Sequence, residues 1–269
     1  MKVVAVVQAR MGSARLPGKV LLPLDGIPVI QWIWERLNRC RQLQDIVVAT
    51  GDSPADDRLA DTLRRLGAQV FRGSEHDVLD RYYRAARAVR ADAIVRVTGD
   101  CPLIDPELVD QVASGLRAGQ PELHYVSNIH PPTYPDGLDA EAFTLEALYK
   151  TWHEAEWASE REHVTLYMRK HPERFPQEHV RCNRDLSHHR WTLDEEADYR
   201  FLDMLVRLAA EAGLNPREAS WRQWLNLTEQ YPQLARMNGG IPRNEGARKS
   251  LQEDCHIRLP TRSERGLPV

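Results

Sequence analysis

The chain has 269 residues, of which 42% are apolar and 28% are charged. This composition is typical of a folded globular protein and excludes a chain that is disordered throughout. Its length suits one large domain or two small ones. The 36 lysines and arginines nearly balance the 39 acidic residues, giving a net charge of −3. Overall charge therefore favours neither nucleic acid nor a membrane as a partner, and an anion site requires a local basic cluster.

Apolar runs and cysteines predict the cellular location. The apolar run at residues 3–7 is too short for the core of a signal peptide, and no run approaches the roughly 18 residues of a transmembrane helix. The four cysteines, Cys40, Cys101, Cys182 and Cys255, are far apart and form no C-x-x-C pair. The ten histidines show no zinc-ligand spacing. We therefore expect a cytoplasmic protein with reduced thiols and no zinc site.

Strand and helix patterns alternate along the first part of the chain. The pattern predicts strands at residues 2–7, 45–49, 69–71 and 92–97, and helices at 28–39, at 56–66 and from Asp77 onward. Such alternation is typical of βαβ units with right-handed crossovers. We predict an α/β fold with a doubly wound, mostly parallel sheet, whose ligands bind at the carboxyl ends of the strands.

The alternation ends after Ser127, where a proline-rich segment begins. We interpret residues 128–143 as an antiparallel excursion. Beyond it the pattern predicts helices at 144–157, 160–171, 195–212 and 216–231, and short strands at 178–181 and 189–193. We expect one domain over residues 1–237 and a C-terminal extension over 238–269, whose end lacks regular structure.

A basic, glycine-containing loop follows the first strand. Residues 8–19 read Q-A-R-M-G-S-A-R-L-P-G-K, and no acidic residue occurs before Asp25. Arg10, Arg15 and Lys19 supply three cations, and the glycines let backbone N–H groups approach an anion closely. The spacing differs from that of the P-loop and of the dinucleotide fingerprint. The loop predicts a triphosphate site; the alternative is a solvated basic loop.

The second group of polar residues follows the fourth strand. Residues 98–106 read T-G-D-C-P-L-I-D-P. Asp100 is a candidate ligand for a hard cation, which prefers carboxylate oxygens and retains most of its waters beside a triphosphate. Asp105 precedes Pro106, a pattern that predicts a helix N-cap and a structural role.

These segments together resemble a known family. The motifs are A-R-x-x-S-x-R-L-P-G-K at 9–19, G-D-x-P-L-I at 99–104 and T-L-D-E-E-A-D at 192–198, with R-G-S-E-H-D-V-L-D-R-Y-Y at 72–83, P-D-G-L-D-A-E at 135–141 and R-E-H-V-T at 161–165. They resemble the cytidylyltransferases that activate sialic-type and octulosonic acid sugars as CMP conjugates, most closely the spore-coat polysaccharide biosynthesis protein F type. The resemblance extends from residue 1 to about residue 210.

The resemblance implies a nucleotide-diphospho-sugar transferase fold and a set of nucleotide contacts. By that resemblance Arg10, Ser13, Arg15 and Lys19 contact the triphosphate, and the main chain near Ala9, with Arg72 and Ser74, holds the pyrimidine. Mg²⁺ would bind to Asp100 and Asp194. Asp194 has an alternative role as N-cap of the helix predicted from residue 195. Cys101 stands where the octulosonic branch commonly has a glutamate, so the acceptor sugar is left open.

The same resemblance places the acceptor near two further segments. These contain Asp136, Asp139, Glu141, Glu162 and His163. Because side chains alternate along an extended segment, Asp139 and Glu141 are expected on the same side of it. A turn is the alternative for the Asp136-Gly137 pair, and a structural role is the alternative for the histidine. The family often dimerises through an inserted segment, so we expect a homodimer joined through the proline-rich region.

We therefore expect a Mg²⁺-dependent cytidylyltransferase. It would transfer CMP from CTP to an acidic sugar or phosphonate-like acceptor in surface-polysaccharide biosynthesis, with Arg10, Arg15, Lys19 and Asp100 as catalytic residues. One alternative is a glycosyltransferase, although the D-x-D signature of that class is missing at 99–101. The other is a non-catalytic nucleotide-binding subunit of a glycan-assembly enzyme. Neither the acceptor nor a general base is assignable from the sequence.

Overall fold

The structure is a computed structural model that describes residues 1–257. The expected irregular end of the C-terminal extension, residues 258–269, lies outside the described part. The strands are β1 (Val3–Gln8), β2 (Pro23–Leu24), β3 (Ile27–Pro28), β4 (Asp45–Gly51), β5 (Gln69–Gly73), β6 (Ala93–Thr98), β7 (Tyr125–Ser127), β8 (Glu141–Thr144) and β9 (Gln177–His179). The helices are α1 (Val29–Leu37), α2 (Asp57–Arg65), α3 (Val78–Ala88), α4 (Pro106–Ala118), α5 (Leu145–Glu154), α6 (Ala158–Glu162), α7 (Leu166–Lys170), α8 (Glu196–Glu211), α9 (Trp221–Gln230), α10 (Ala235–Asn238) and α11 (Glu245–Gln252).

A seven-stranded sheet forms the centre of the fold, in the order β5-β4-β1-β6-β8-β7-β9. Its first four strands are mutually parallel, and α1, α2 and α3 connect them in sequence. Gln8 at the end of β1 lies opposite Ala49 on one side and Thr98 on the other. The predicted doubly wound fold is confirmed, and the loops after β1 and β6 leave the sheet side by side, at the edge where we expect ligands.

The second half of the sheet is mixed. β8 runs antiparallel to both β6 and β7, with Arg96 opposite Glu141, whereas β9 is parallel to β7. The predicted antiparallel excursion is confirmed at β8, but residues 128–140 form a loop. The predicted strand at 189–193 is wrong, because this segment makes one isolated bridge, from Arg190 to Asp136. Asp136, the residue that Arg190 pairs with, lies in a turn between Pro135 and Gly137. Since proline has no N–H to donate, a ladder of hydrogen bonds cannot extend along this turn.

The helix predicted at 160–171 is broken. α6 ends at Glu162 and α7 begins at Leu166. Between them Val164 adopts a φ of 55°, in the left-handed region that a β-branched residue rarely enters. After this break, the Thr165 hydroxyl lies 2.6 Å from a carboxylate oxygen of Glu141, at the start of β8. The local backbone distortion thus brings a polar side chain into contact with the sheet.

Both faces of the sheet are buried. On one face of β1, Val3, Ala5 and Val7 pack in an apolar cluster with side chains from α1, α4 and α8. On the other face, Val4 and Val6 pack in a second cluster with side chains from α3 and α5. Trp32, Trp152, Trp191 and Trp224 are fully buried, as expected of core residues. No helix in residues 1–257 is long and apolar enough to cross a membrane.

Helix caps and the chain's last described segment join distant parts of the fold. Asp105 caps α4 by accepting from the N–H of Glu107 at 2.9 Å, which confirms its structural role, and it also accepts from the N–H of Trp221 at 2.7 Å. Asn238 is buried and donates to the carbonyl of Arg190 at 3.0 Å. Asn238 thus ties the C-terminal segment to the loop that carries Arg190.

Arg36 joins α1 to two loops through a buried guanidinium. The side chain is 1% exposed and donates to the carbonyl oxygens of Ile104 at 2.6 Å, Arg217 at 3.0 Å and Ala219 at 2.8 Å. Burial lowers the pKa of Arg36 to about 10, although Asp105 opposes the shift. The group is charged at neutral pH and donates to all three carbonyls.

We expect Arg36→Ala to lower the free energy of unfolding by about 3–5 kcal/mol, because it leaves buried carbonyls without a donor and a buried carboxylate without a countercharge. Urea unfolding would measure the change. Arg58→Ala, exposed on α2, is the matched control and should change stability by less than about 0.5 kcal/mol. Equal losses in the two variants would contradict this role for Arg36.

Candidate active site

A cavity of about 990 Å³ opens where β1 and β6 end. Its walls are the loop after β1, the end of β6, the end of α6, Asp194 and the exposed helix α11. The volume lies in the range of small-molecule sites, and the position is the one that a doubly wound sheet offers to ligands.

The basic loop forms one wall of this cavity. The N–H of Ala9 donates to the carbonyl of Ala49, and the N–H of Met11 donates to buried Asp56 at 2.6 Å. Gly18 adopts a φ of 70°, which a side chain would strain, and its N–H closes the loop onto Met11 at 3.0 Å. The loop is therefore held by its own backbone, while Arg10, Ser13, Arg15 and Lys19 all line the cavity.

Lys19 lies between two carboxylates. Its ammonium is 2.9 Å from Asp100 and 2.8 Å from Asp194, and the side chain is 12% exposed. Burial lowers the pKa of Lys19, but the two carboxylates outweigh burial and raise the pKa above its ordinary value. Two acidic residues that are remote in sequence thus converge on one cation.

Asp100 is held in its ionised form. Burial would raise the pKa of this carboxyl, but Lys19 and a hydrogen bond from the Thr98 hydroxyl lower it to about 2. The carbonyl of Asp100 also accepts from the N–H of Leu193 at 2.8 Å, which fixes the segment that carries Asp194. The adjacent Cys101 is buried in the core, and burial raises the pKa of its thiol, so it is not available as a thiolate ligand.

Asp194 does not cap a helix. α8 begins at Glu196, and a reciprocal capping box between Glu195 and Asp198 satisfies its first turn. The N-cap alternative for Asp194 is therefore wrong. Its carboxylate instead contacts Arg15 at 3.0 Å and Lys19, at the cavity wall.

The paired carboxylates fit a hard divalent cation. Asp100 and Asp194 already share one cation, the Lys19 ammonium. Mg²⁺ is commonly held by one or two carboxylates, with substrate phosphates and water completing the shell. No group of three or more His, Cys, Asp or Glu side chains suited to a metal occurs in the described residues. The two carboxylates therefore suit a metal that arrives with its nucleotide.

Two predicted pyrimidine contacts lie outside the cavity wall. Arg72 donates to the carbonyls of Gly51 at 3.0 Å and Ser53 at 2.7 Å, and to the carboxylate of Asp57 at 2.6 Å. The Ser74 hydroxyl accepts from the N–H of Asp77. In this structure both side chains hold the loop after β4 and the start of α3, and neither lines the cavity.

The predicted acceptor residues divide into two groups. Glu162 and His163 line the cavity, and Glu162 lies 3.8 Å from Arg10. Burial lowers the pKa of His163, so its imidazole is neutral at pH 7, and its Nε2 is buried without a hydrogen-bond partner. These two residues face the space into which the basic loop opens.

The other acceptor candidates are partly or fully buried and are paired with arginines. Asp136 is 3.3 Å from Arg190, and Asp139 is 2.6 Å from Arg243. Burial, reinforced by the neighbouring carboxylate, raises the pKa of Asp136 to about 7. The alternative of a turn at this point is confirmed by a hydrogen bond from Leu138 N–H to the carbonyl of residue 135. None of these carboxylates, nor Glu141, lines the cavity.

Sequence reasoning missed two parts of the wall. Arg96 interrupts the apolar strand I-V-R-V, a signal that could have marked it as unusual, and its side chain lines the cavity. The residues of α11 gave no such signal, because this helix is polar on all sides and has no buried residue. Glu245 at its start nevertheless lies 2.9 Å from Arg15.

Glu141 is a buried carboxylate that three side chains hold in place. It accepts from Arg96, from the Tyr125 hydroxyl and from the Thr165 hydroxyl, and it is 1% exposed. Burial alone would raise its pKa, but the arginines and these hydrogen bonds lower the pKa to about 2. The ionised form stabilises the fold above the ordinary pKa of 4.5, and that contribution is lost as the pH falls towards 2.

We expect Glu141→Gln to reduce the free energy of unfolding by about 3 kcal/mol at pH 7, and the difference from the unsubstituted protein to fall by roughly half or more by pH 3. Urea unfolding at pH 7, 5, 4 and 3 would measure it. Glu211→Gln, on the exposed end of α8, is the control and should leave the free energy of unfolding almost unchanged at each pH. A difference that stays constant over this range would contradict ionisation of Glu141 as the source.

Comparisons with known proteins agree with this arrangement. The family model described as cytidylyltransferase matches residues 4–214. The chain is 34% identical over 243 residues to an uncharacterised protein of Methanocaldococcus jannaschii, covering 90% of this chain and 96% of that protein. It is 34% identical over 213 residues to the spore coat polysaccharide biosynthesis protein SpsF of Bacillus subtilis, covering 77% and 87%.

A solved structure shows the same fold over most of the molecule. A cytidylyltransferase from Leptospira borgpetersenii superposes with a TM-score of 0.82 at 33% identity, covering 87% of this chain and 96% of that one. The family-model match over residues 4–214 includes the basic loop, the central G-D motif and the segment carrying Asp194, which form part of the cavity wall. The chain belongs to the cytidylyltransferase family and is a nucleotidyltransferase.

Proposed function

We propose that the protein transfers CMP from CTP to an acidic sugar, with release of pyrophosphate, in surface-polysaccharide biosynthesis. The observation that carries this proposal is the Lys19 ammonium held between Asp100 and Asp194 at the end of a basic loop. An acceptor oxygen would attack the α-phosphorus of CTP and form the new P–O bond. The bond to the bridging oxygen would break, and pyrophosphate would leave with its negative charge.

The basic loop suits the triphosphate. Arg10, Ser13, Arg15 and Lys19 line one side of the cavity and can neutralise charge on the β- and γ-phosphates as the leaving group forms. Since the N–H of Ala9 is bonded to Ala49, the main chain near Ala9 would contact the pyrimidine through its remaining polar groups. The work of the protein is thus mainly positioning and charge stabilisation, with no covalent intermediate.

Asp100 and Asp194 are the residues that would hold Mg²⁺. When bound, the ion supplies positive charge at the phosphates. Both carboxylates are shared with Lys19, so the lysine is free to turn toward the triphosphate once they have another cation. Glu162 and His163, across the cavity, are the proposed acceptor contacts.

The relatives favour this reading over its alternatives. Family membership argues against a glycosyltransferase, and the name of the Bacillus subtilis relative supports a role in polysaccharide synthesis. A phosphonate-like acceptor is the second acceptor class. Homodimerisation through residues 128–143 and a cytoplasmic location stay predictions.

The direct test is pyrophosphate release from each of the four nucleoside triphosphates with Mg²⁺ and a panel of acidic sugars and phosphonates. We expect release with CTP and one acceptor class. Asp100→Asn should lower kcat/KM at least about 100-fold, because it removes charge from the cation site. Asp61→Asn, on the exposed face of α2, is the control and should retain full activity. CTP binding without turnover on any acceptor would instead favour a non-catalytic subunit.

Arg15 provides a second prediction, since it lies 3.0 Å from Asp194 and 2.9 Å from Glu245. CTP must compete with these carboxylates for the guanidinium. We expect Glu245→Gln to tighten CTP binding by roughly two- to five-fold, measured by calorimetry at low salt, because one exposed ion pair is worth little. Glu218→Gln, exposed and outside the cavity wall, is the control. Weaker binding by the Glu245 variant would show that this carboxylate assists the nucleotide.

A further inference from the structure

Arg96 extends the cavity away from the phosphate end. It lies two residues before Thr98, the last residue of β6, so the two side chains project from the same face of the sheet. The separation along the strand is roughly 7 Å. Both residues line the cavity, together with Glu162 and His163. One wall therefore runs from the carboxylate pair down the face of β6 to a guanidinium.

This guanidinium is held in a fixed orientation. Its Nη1 donates to Glu141, the residue directly opposite on β8. Glu141 also accepts from the hydroxyls of Tyr125 and Thr165, each at 2.6 Å. The buried carboxylate therefore has three donors and cannot turn without losing them. Through Glu141, the fold fixes the position of an arginine at the cavity wall.

The bonding capacity of Arg96 is largely unused. Its side chain is 16% exposed, its Nε is buried without a hydrogen-bond partner, and among residues 1–257 Glu141 alone accepts a hydrogen bond from it. Two neighbours on the same wall, Gln8 through Oε1 and His163 through Nε2, also have buried atoms without partners. Buried polar atoms in native proteins are nearly always bonded, so this cluster points to a polar ligand.

The charges of the region favour an anion at this position. The carboxylates behind the wall are already paired, Asp139 with Arg243 and Glu141 with Arg96, and the charge of Arg169 also acts on Glu141. A planar guanidinium binds a carboxylate through parallel hydrogen bonds, which a hydroxyl cannot match. Gln8 and His163 offer one acceptor atom and one ring nitrogen suited to the hydroxyls of a sugar.

We propose that Arg96 binds the carboxylate of the acceptor and that Glu141 is the positioning residue for Arg96. This inference rests on the proposed function and assigns the acceptor to the sugar acids, since the guanidinium would hold the acid group while a hydroxyl faces the α-phosphate. Glu141 therefore acts on the acceptor through Arg96 and does not touch it.

Steady-state pyrophosphate release with CTP, Mg²⁺ and the acceptor found in the panel tests the proposal. Arg96→Gln should raise the KM for the acceptor at least about ten-fold and change the KM for CTP less than two-fold. Arg96→Lys keeps the charge next to Glu141 and should give an intermediate KM for the acceptor. Arg65→Gln, exposed on α2, should match the unsubstituted protein. An unchanged acceptor KM, or an equal rise in both KM values, would overturn the proposal.

A binding measurement separates this inference from the proposed function. The melting temperature is recorded with CTP, and separately with CMP plus 3-deoxy-manno-octulosonate or N-acetylneuraminate at millimolar concentration. CTP should stabilise the unsubstituted protein and both Arg96 variants, whereas a sugar acid should stabilise the unsubstituted protein and not Arg96→Gln. If CTP stabilises the protein and no sugar acid does, the inference about Arg96 fails while the nucleotide site stands. If CTP has no effect and releases no pyrophosphate, the proposed function itself fails.

Discussion

The site depends on one electrostatic constraint, the partial burial of a lysine between two carboxylates. A charge removed from water is tolerated only when opposite charges and hydrogen bonds replace the solvent. Lys19, Asp100 and Asp194 meet this condition together, with Thr98 bonding one carboxylate. The three segments that carry them must come within about 3 Å of a common point, and the fold around them provides that convergence.

Parallel pairing of β1 and β6 supplies the first part of that convergence. Because Gln8 and Thr98 lie opposite each other, the basic loop and Asp100 leave the sheet as neighbours. The third segment carries Asp194. It is held by a backbone hydrogen bond from the N–H of Leu193 to the carbonyl of Asp100 and by the capping box that starts α8. The C-terminal residues then close the wall, since α11 places Glu245 against Arg15. The cavity wall is therefore assembled from both ends of the described chain.

Paired charges surround the part of the cavity that is remote from the basic loop. Arginines 96, 190 and 243 neutralise the carboxylates that follow the proline-rich loop, and each pair is largely removed from solvent. Such pairs add little net stability compared with apolar packing, but breaking one is costly, so they hold geometry. The acidic residues of this region consequently act from behind the wall. Of these three pairs, Arg96 is the member that lines the cavity, next to Glu162 and His163.

The doubly wound sheet, the basic loop and the candidate Asp100 were predictable from the sequence alone, because strand periodicity, glycines and uncompensated charge are local properties. Tertiary structure decided which carboxylates face the ligand. Alternation along 136–141 could not show that Arg190, Arg243 and Arg96 bond these residues, since their partners come from distant segments. The sequence also could not show that Arg72 bonds the loop after β4, or that α11, a helix with no buried residue, lines the cavity. Contacts made across the fold leave no periodicity in the chain, and only folding brings them together.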